Sequence, residues 1–417
     1  MTGTTGLGRS SAGGSSLVVD GFRHALTTPA ALLFGVAILL TAVGWSPSAG
    51  AATPIPALPL ASGVSTPSQS VVSLPMGHLD DPDNTFWELF LQPAGSTSWT
   101  LRTPPGVADN GGLAVAVPSP GPVTVGFLPS QLLRFSPLAQ STDGGKTWST
   151  GDLTGSLVAG PDTLAGGPPD PTVALVAGSG QTVLSSSNLS NWRSLVTTKA
   201  LAKSVKDCGV QRITAVAGDG NDPILGVQCS QRGRIGVLFP KAADPGGAIA
   251  WASGGPRLSG DSSGVATVLR LEAAPTAGAG AASGLNGLAT VQSGRSSSLV
   301  AFWTPAPGSG WTQSRRLDLP TGWAVHATAT GGGSGGAITV LLDSGTRRRI
   351  VSVAGPGARW TTSPVPPLGT EAVVTVGSRL EAFVVENSTL TIWASSSGGG
   401  WSRLQRTTVP VPYGSSS

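Results

Sequence analysis

Few side chains in this chain could do acid–base or nucleophilic chemistry. Past residue 50 there are two histidines, His78 and His326, and one tyrosine, Tyr413, four residues from the C-terminal end. The densest acidic stretch is His78-Leu79-Asp80-Asp81-Pro82-Asp83-Asn84, followed by Glu88. Its oxygens are of the kind that bind Ca²⁺. No regular ligand spacing appears, so it reads as a polar loop leading into a strand over Phe86–Leu91. Asp162, Asp170, Asp219 and Asp222 sit in Gly/Pro turns, where Asp is common because it bonds its own backbone. Gly145-Lys146-Thr147 mimics the end of a phosphate-binding loop, but the earlier glycine that loop needs is Gln140, and no helix follows. A Ser/His/Asp triad would need His78 or His326; His326 falls in the alternating strand Ala324–Thr328, with no nucleophile elbow nearby. Two cysteines and two histidines do not make a zinc set. No catalytic site, metal or cofactor is therefore expected.

The elements that would position such residues are β-strands. The 417 residues include 60 Gly and 34 Pro, and 11% are charged. Gly, Pro, Ser and Thr punctuate short Val/Leu/Ala runs, an all-β signature, and no long stretch after residue 50 has helical periodicity. The net charge of +4 is spread thinly. Its one basic cluster, Arg347-Arg348-Arg349, sits at the end of a hairpin through Asp343-Ser344-Gly345-Thr346 and reads as a solvated strand end. Nucleic acid would need a wider basic face, so no nucleic-acid partner is expected.

Residues 1–52 differ from the rest. A Gly/Ser/Thr-rich start with Arg9, Arg23 and His24 precedes an apolar run from Pro29 to Trp45, then Ser48-Ala49-Gly50-Ala51-Ala52. Small residues there suit signal-peptidase cleavage. The run is at the lower limit for a bilayer span, so a cleaved signal and an uncleaved signal-anchor, tethering through residues 29–45, both remain open. Either predicts an extracytoplasmic protein, secreted or membrane-anchored. No Cys follows the run for a lipid anchor, and no Arg-Arg pair precedes it. Residues 53–70 are Pro/Ser-rich and read as a linker. The two cysteines, Cys208 and Cys229, flank a strand–turn–strand segment and predict one disulfide in an exported chain.

From residue 71 to 417 a unit repeats: alternating apolar strands, a Gly/Ser turn, a Trp, and a last short strand. The turn tryptophans are Trp99, Trp148, Trp192, Trp251, Trp311, Trp360 and Trp401, spaced 49, 44, 59, 60, 49 and 41 residues. Four short antiparallel strands in a unit of this length describe a propeller blade, and a ring of blades buries faces that one blade cannot. The expected architecture is a seven-bladed β-propeller, or six-bladed if one Trp does not mark a blade. The long spacings around Trp251 call for an insertion, with Ala273–Gly287 a natural place. Val409-Pro410-Val411-Pro412 could pair with the first blade and close the ring.

The clearest unit turn is Ser141-Thr142-Asp143-Gly144-Gly145-Lys146-Thr147-Trp148. Asp143 can accept from backbone N–H groups across the turn, Gly145 can take positive φ, Ser141 can add a second side-chain bond, and Trp148 can pack between blades. Ser186-Ser187-Asn188-Leu189-Ser190-Asn191-Trp192 is a degenerate copy. This turn resembles the Asp-box (BNR) repeat of the sialidase superfamily of propellers, which includes sialidases, xyloglucan-cleaving glycosidases, sortilin-type receptors and photosystem assembly factors. There the Asp-box is a structural turn on the blade periphery, so the resemblance implies fold and not activity. A sialidase of that family would need a Tyr–Glu nucleophile pair, an acid/base Asp and three arginines clamping the substrate carboxylate. Tyr413 is badly placed for this, and no Arg-Ile-Pro motif opens the first blade.

Loops at the mouth of a propeller carry function. Two polar loops, Thr103–Gly112 and Pro129–Pro137, supply the expected binding residues Asp109, Asn110, Gln131 and Arg134. The expectation is an exported, non-catalytic propeller binding a protein or glycan partner at the cell envelope. The alternatives are a glycoside hydrolase using central Asp/Glu pairs, which should show carboxylates converging on the axis, and a cell-envelope assembly factor.

Overall fold

The structure is a computed structural model that describes residues 60–410, except 80–84, 106–110, 119–120, 129–132, 159–160, 168, 177–180, 219, 242–248, 259–263, 274–283, 307, 332–335 and 397–398. Residues 1–52, read from sequence as a signal or anchor, the acidic residues Asp80, Asp81 and Asp83, and Tyr413 lie outside the described residues. No described helix is long and apolar enough to cross a membrane.

The described chain is an all-β propeller of four-stranded antiparallel meanders. They are β1 (Ala61–Ser65), β2 (Gln69–Gly77), β3 (Thr85–Pro93) and β4 (Thr100–Leu101); β5 (Leu113–Ala116), β6 (Val123–Phe127), β7 (Leu133–Ser141) and β8 (Ser149–Val158); β9 (Pro161–Ala165), β10 (Thr172–Val176), β11 (Thr182–Ser186) and β12 (Arg193–Thr197). After helix α1 (Thr198–Ser204) come β13 (Val210–Ala217), β14 (Ile224–Cys229), β15 (Gly236–Pro240) and β16 (Trp251–Ser253); then β17 (Val265–Ala273), β18 (Leu285–Ser293), β19 (Ser296–Thr304), β20 (Thr312–Gln313) and β21 (Leu317–Leu319). The last are β22 (Ala324–Gly331), β23 (Ile338–Asp343), β24 (Arg348–Val353) and β25 (Thr361–Thr362); and β26 (Thr370–Val376), β27 (Arg379–Glu386), β28 (Thr389–Ser395) and β29 (Ser402–Thr408). The first strands of neighbouring meanders touch (β5 with β9, β9 with β13, β13 with β17, β22 and β1 with β26), so they line the axis.

Seven separate blades are not formed. Among the described residues five sheets stand alone as four- or five-stranded blades, and the sixth is eight-stranded, in the order β25-β24-β23-β22-β1-β2-β3-β4. The cause is β1, which pairs in parallel with β22 from Ala61↔Ala327 to Ser65↔Gly331 and fuses two repeat units into one sheet. Residues 61–65, inside the stretch read as a linker, are strand. Of the segment 409–412 expected to pair with the first unit, residues 411 and 412 lie outside the described residues, and Val409 is not paired with the first unit. Its N–H instead donates to Ser388 of its own blade. Small residues let β1 fit: a Cβ on Gly63 would lie 2.7 Å from the Val373 carbonyl and 3.1 Å from the Ala329 and Val374 Cβ atoms.

Each of the seven turn tryptophans stands at the entry to the outermost strand of a unit. Trp99 shows what that position does. Its ring meets Phe383 edge-on at 5.0 Å, its N–H donates to Gln405 Oε1 at 2.8 Å, and Gln405 Nε2 donates back to its carbonyl at 2.8 Å. Its indole donates to Glu381 Oε2 at 2.6 Å, whose other oxygen accepts from Arg379. Glu381 is fully buried, a burial made tolerable by these donors. This joint fastens the last blade to the first unit.

The turn before Trp148 folds through its side chains. Asp143 Oδ1 accepts from the Lys146 and Thr147 N–H groups, both at 2.9 Å, and Oδ2 from the Thr147 hydroxyl at 2.6 Å. The Ser141 hydroxyl donates to Asp143 and accepts the Gly145 N–H at 2.7 Å. The Thr147 donors, with help from Ser141 and Lys146, hold the Asp143 carboxyl well below the usual carboxylate range. Gly145 has φ +79°, and a Cβ there would meet Arg102. In the degenerate copy Asn188 Oδ1 accepts from Ser190 and Asn191, and Leu189 itself takes φ 59°.

Cys208 and Cys229 form a disulfide. It sits under α1, a short helix capped by Thr197, which the sequence pattern did not predict. Leu201, Val205 and Cys208 pack with Cys229 in one core cluster. The helix supplies part of the long Trp192–Trp251 spacing.

Candidate functional site

In a four-stranded meander the start of the first strand, the end of the second and the start of the third share one end. The register Ala324↔Asp343↔Arg348 shows this directly. Most of the charged side chains on first strands gather at that end: Asp162 on β9, Arg212 on β13, His326 on β22 and Glu371 on β26.

Four polar side chains there close into a ring. His326 Nε2 lies 2.8 Å from Glu371 Oε2, and His326 Nδ1 lies 3.7 Å from Asp343 Oδ2. Arg348 Nη1 donates to Glu371 Oε1 at 2.7 Å and also to the Thr370 carbonyl, and Arg348 Nε lies 3.6 Å from Asp343 Oδ2. Glu371 is buried and the other three are half-buried. Each carboxylate therefore meets one imidazole and one guanidinium, and the ring ties β22, β23 and β24 to β26.

The basic triplet 347–349 is thus not simply a solvated strand end. Arg348 belongs to the ring, Arg349 lies over the Trp323 indole at 5.0 Å, and Arg347 is exposed. Sequence reading singled out His326 and the Asp343 hairpin separately, but missed Glu371. Its contact with His326 spans 45 positions, and no local pattern joins them.

A second network runs along the axis between β17 and β22. Arg270 grips Glu272 Oε1 through Nε at 2.9 Å and Nη2 at 2.5 Å, and Nη1 donates to the Thr328 carbonyl and hydroxyl at 3.2 Å. The Thr330 hydroxyl donates to Glu272 Oε2. Here too the charges are spent on neighbouring strands.

Two carboxylates carry raised affinity for a proton. Burial pushes Glu88 up to about 7, against an opposing bond from the Thr103 hydroxyl. Burial also pushes Asp162 up to about 6, partly offset by the Arg212 charge. They sit on different sheets, β3 and β9, and share no partner. Among the described residues no group of three or more His, Cys, Asp or Glu is arranged to hold a metal ion.

Of the binding residues expected from sequence, Asp109, Asn110 and Gln131 lie outside the described residues. Arg134 falls in β7, and its side chain is not described.

No protein-family model matches the chain, and no curated protein matches it. Solved structures do resemble it. A 6-phosphogluconolactonase-like protein of Bacteroides uniformis aligns at 10% identity over 82% of this chain and 97% of its own, with a TM-score of 0.47. YCF48 from Cyanidioschyzon merolae aligns at 15% identity over 78% and 95%, with a TM-score of 0.40. A mutant of the Aleuria aurantia lectin in complex with Fucα1-6GlcNAc aligns at 13% identity over 85% and 97%, with a TM-score of 0.39.

Proposed function

We propose that this chain is an exported, non-catalytic β-propeller of the Asp-box type that binds a protein or glycan partner at the cell envelope. The observation that carries the reading is the closed ring of His326, Glu371, Arg348 and Asp343. Its acid and base side chains are turned to one another and brace two sheets, which supports a structural role for them over a catalytic one. The Cys208–Cys229 disulfide supports an oxidising compartment and hence export. Tethering through residues 29–45 belongs to the same proposal.

Recognition is assigned to the end of the propeller that carries the ring. The strand ends flanking Asp109, Asn110 and Gln131 are the start of β5 and the end of β6, and Arg134 is at the start of β7. All belong to that end, where connecting loops are free to vary without disturbing the blades.

The raised proton affinities of Glu88 and Asp162 favour a second reading, a glycoside hydrolase. Against it, Glu88 accepts from Thr103 and stands on β3, the third strand of its meander, whereas Asp162 stands on the first strand β9, so the two do not converge on the axis.

The test is capture of the tagged full chain from cross-linked envelopes of its own cells. Reproducible enrichment of one envelope protein or glycan fraction is expected. Recovery of the chain alone, together with release of reducing ends from a glycoside panel, would replace binding with hydrolysis.

A further inference from the structure

A pocket of about 320 Å³ opens on one face of the last blade, at the same end as the ring: Val384 pairs with Thr370, whose carbonyl accepts from Arg348. Val384, Glu386, Thr391, Trp393, Arg403 and Arg406 line it, with Pro367 and Leu368 beside them. The two arginines are three residues apart on β29, a spacing that in a regular strand points side chains to opposite faces. A β-bulge changes this. Ile392 pairs with Gln405 but Trp393 with Arg403, which leaves Leu404 unpaired. Leu404 and Gln405 turn toward the first unit, where Leu404 packs on the core and Gln405 holds Trp99. Arg403 and Arg406 are thereby brought to the same face, into the pocket. Bulges of this kind re-aim side chains at functional sites.

The charge state of this pocket is the reverse of the ring's. Both arginines are exposed, and among the described residues neither side chain makes an ion pair or a hydrogen bond. Two guanidiniums and one carboxylate leave one net positive charge beside a half-buried indole. Leu368, 95% exposed, adds an apolar rim.

We infer that this pocket binds a hexuronate unit of an acidic glycan. Planar guanidinium forks match a carboxylate. The Trp393 ring, with Val384 and Leu368, offers an apolar surface for the C–H face of a sugar ring. Glu386 and Thr391 supply acceptors for its hydroxyls. A single carboxylate balances the net charge, whereas a phosphate would leave the indole unused. The volume is at the small end of ligand sites and suits one or two sugar rings. This site shares no residue with the loops assigned to partner recognition and is argued without them.

The test is calorimetric titration of the purified full chain at neutral pH. The probes are trigalacturonate, a glucuronate-containing hyaluronan hexasaccharide, neutral maltotriose and the peptide acetyl-Gly-Glu-Leu-Glu-Gly-amide. Saturable binding of at least one uronate oligomer is expected, with none for maltotriose. The double variant R403Q/R406Q should weaken it by at least about 10-fold while the melting temperature stays unchanged, and R403K/R406K should weaken it less. Envelope partners captured by wild type should still be captured by R403Q/R406Q, which separates this site from the recognition loops. Absence of uronate binding, equal binding of maltotriose, preference for the peptide, or undiminished binding by R403Q/R406Q would each overturn the assignment.

Discussion

Two groups of charged residues, both on or beside the last blade, have opposite economies. At the ring, His326, Glu371, Arg348 and Asp343 are paired in a closed circuit that joins one sheet to the next. On the blade face, Arg403 and Arg406 are set side by side by a bulge and left unpaired. The residue types overlap, so type alone does not tell structure from function. What separates the two groups is whether the protein itself supplies the counter-charge. A half-buried arginine with its carboxylate in place is bracing; an exposed pair set side by side without one is open to something that brings one.

The comparison breaks most sharply at Glu371. Glu371→Ala strands Arg348 and His326 beside a buried position, and should lower unfolding free energy by about 2–4 kcal/mol, read by urea denaturation. Glu88→Gln comes next and acts through pH. The folded pKa of Glu88, about 7, lies above its ordinary 4.5. The folded state therefore keeps a proton that the unfolded state has lost, and stability falls as pH rises through that window. The variant should remove that slope and be more stable than wild type at pH about 8 by about 2–3 kcal/mol. Asp162→Asn should show the same sign over the lower window from 3.8 to about 6, with a smaller gain because the Arg212 attraction is lost. Smallest is R403Q/R406Q, which should change stability by less than about 0.5 kcal/mol, since no internal contact is removed.

Much of the frame was legible. The turn tryptophans announced the outermost strands, because a large ring after a Gly/Ser turn needs a neighbouring unit to bury it. The Ser141–Trp148 turn was readable because its bonds are local, between residues two to four apart. The disulfide followed from two cysteines flanking one hairpin. What escaped is what depends on distant partners. β1 reads as Ala-Ser-Gly-Val-Ser, too small and polar to look like a strand, yet those small residues are what fit between β22 and β26. Its pairing, unseen in the repeat, is why the sheets do not number seven. Glu371 and Arg348 looked like ordinary surface charges until the fold brought them to His326. Arg403 and Arg406 were hidden by a bulge, which turns a spacing of three from opposite faces to one.

The most direct measurement sets the two groups of charges against each other: urea unfolding and uronate titration on Glu371→Ala and R403Q/R406Q side by side. The account predicts a double dissociation, with Glu371→Ala losing stability but still binding uronate, and R403Q/R406Q keeping stability but losing the ligand. Loss of stability without the arginines, or loss of uronate binding from a folded Glu371→Ala protein, would contradict it.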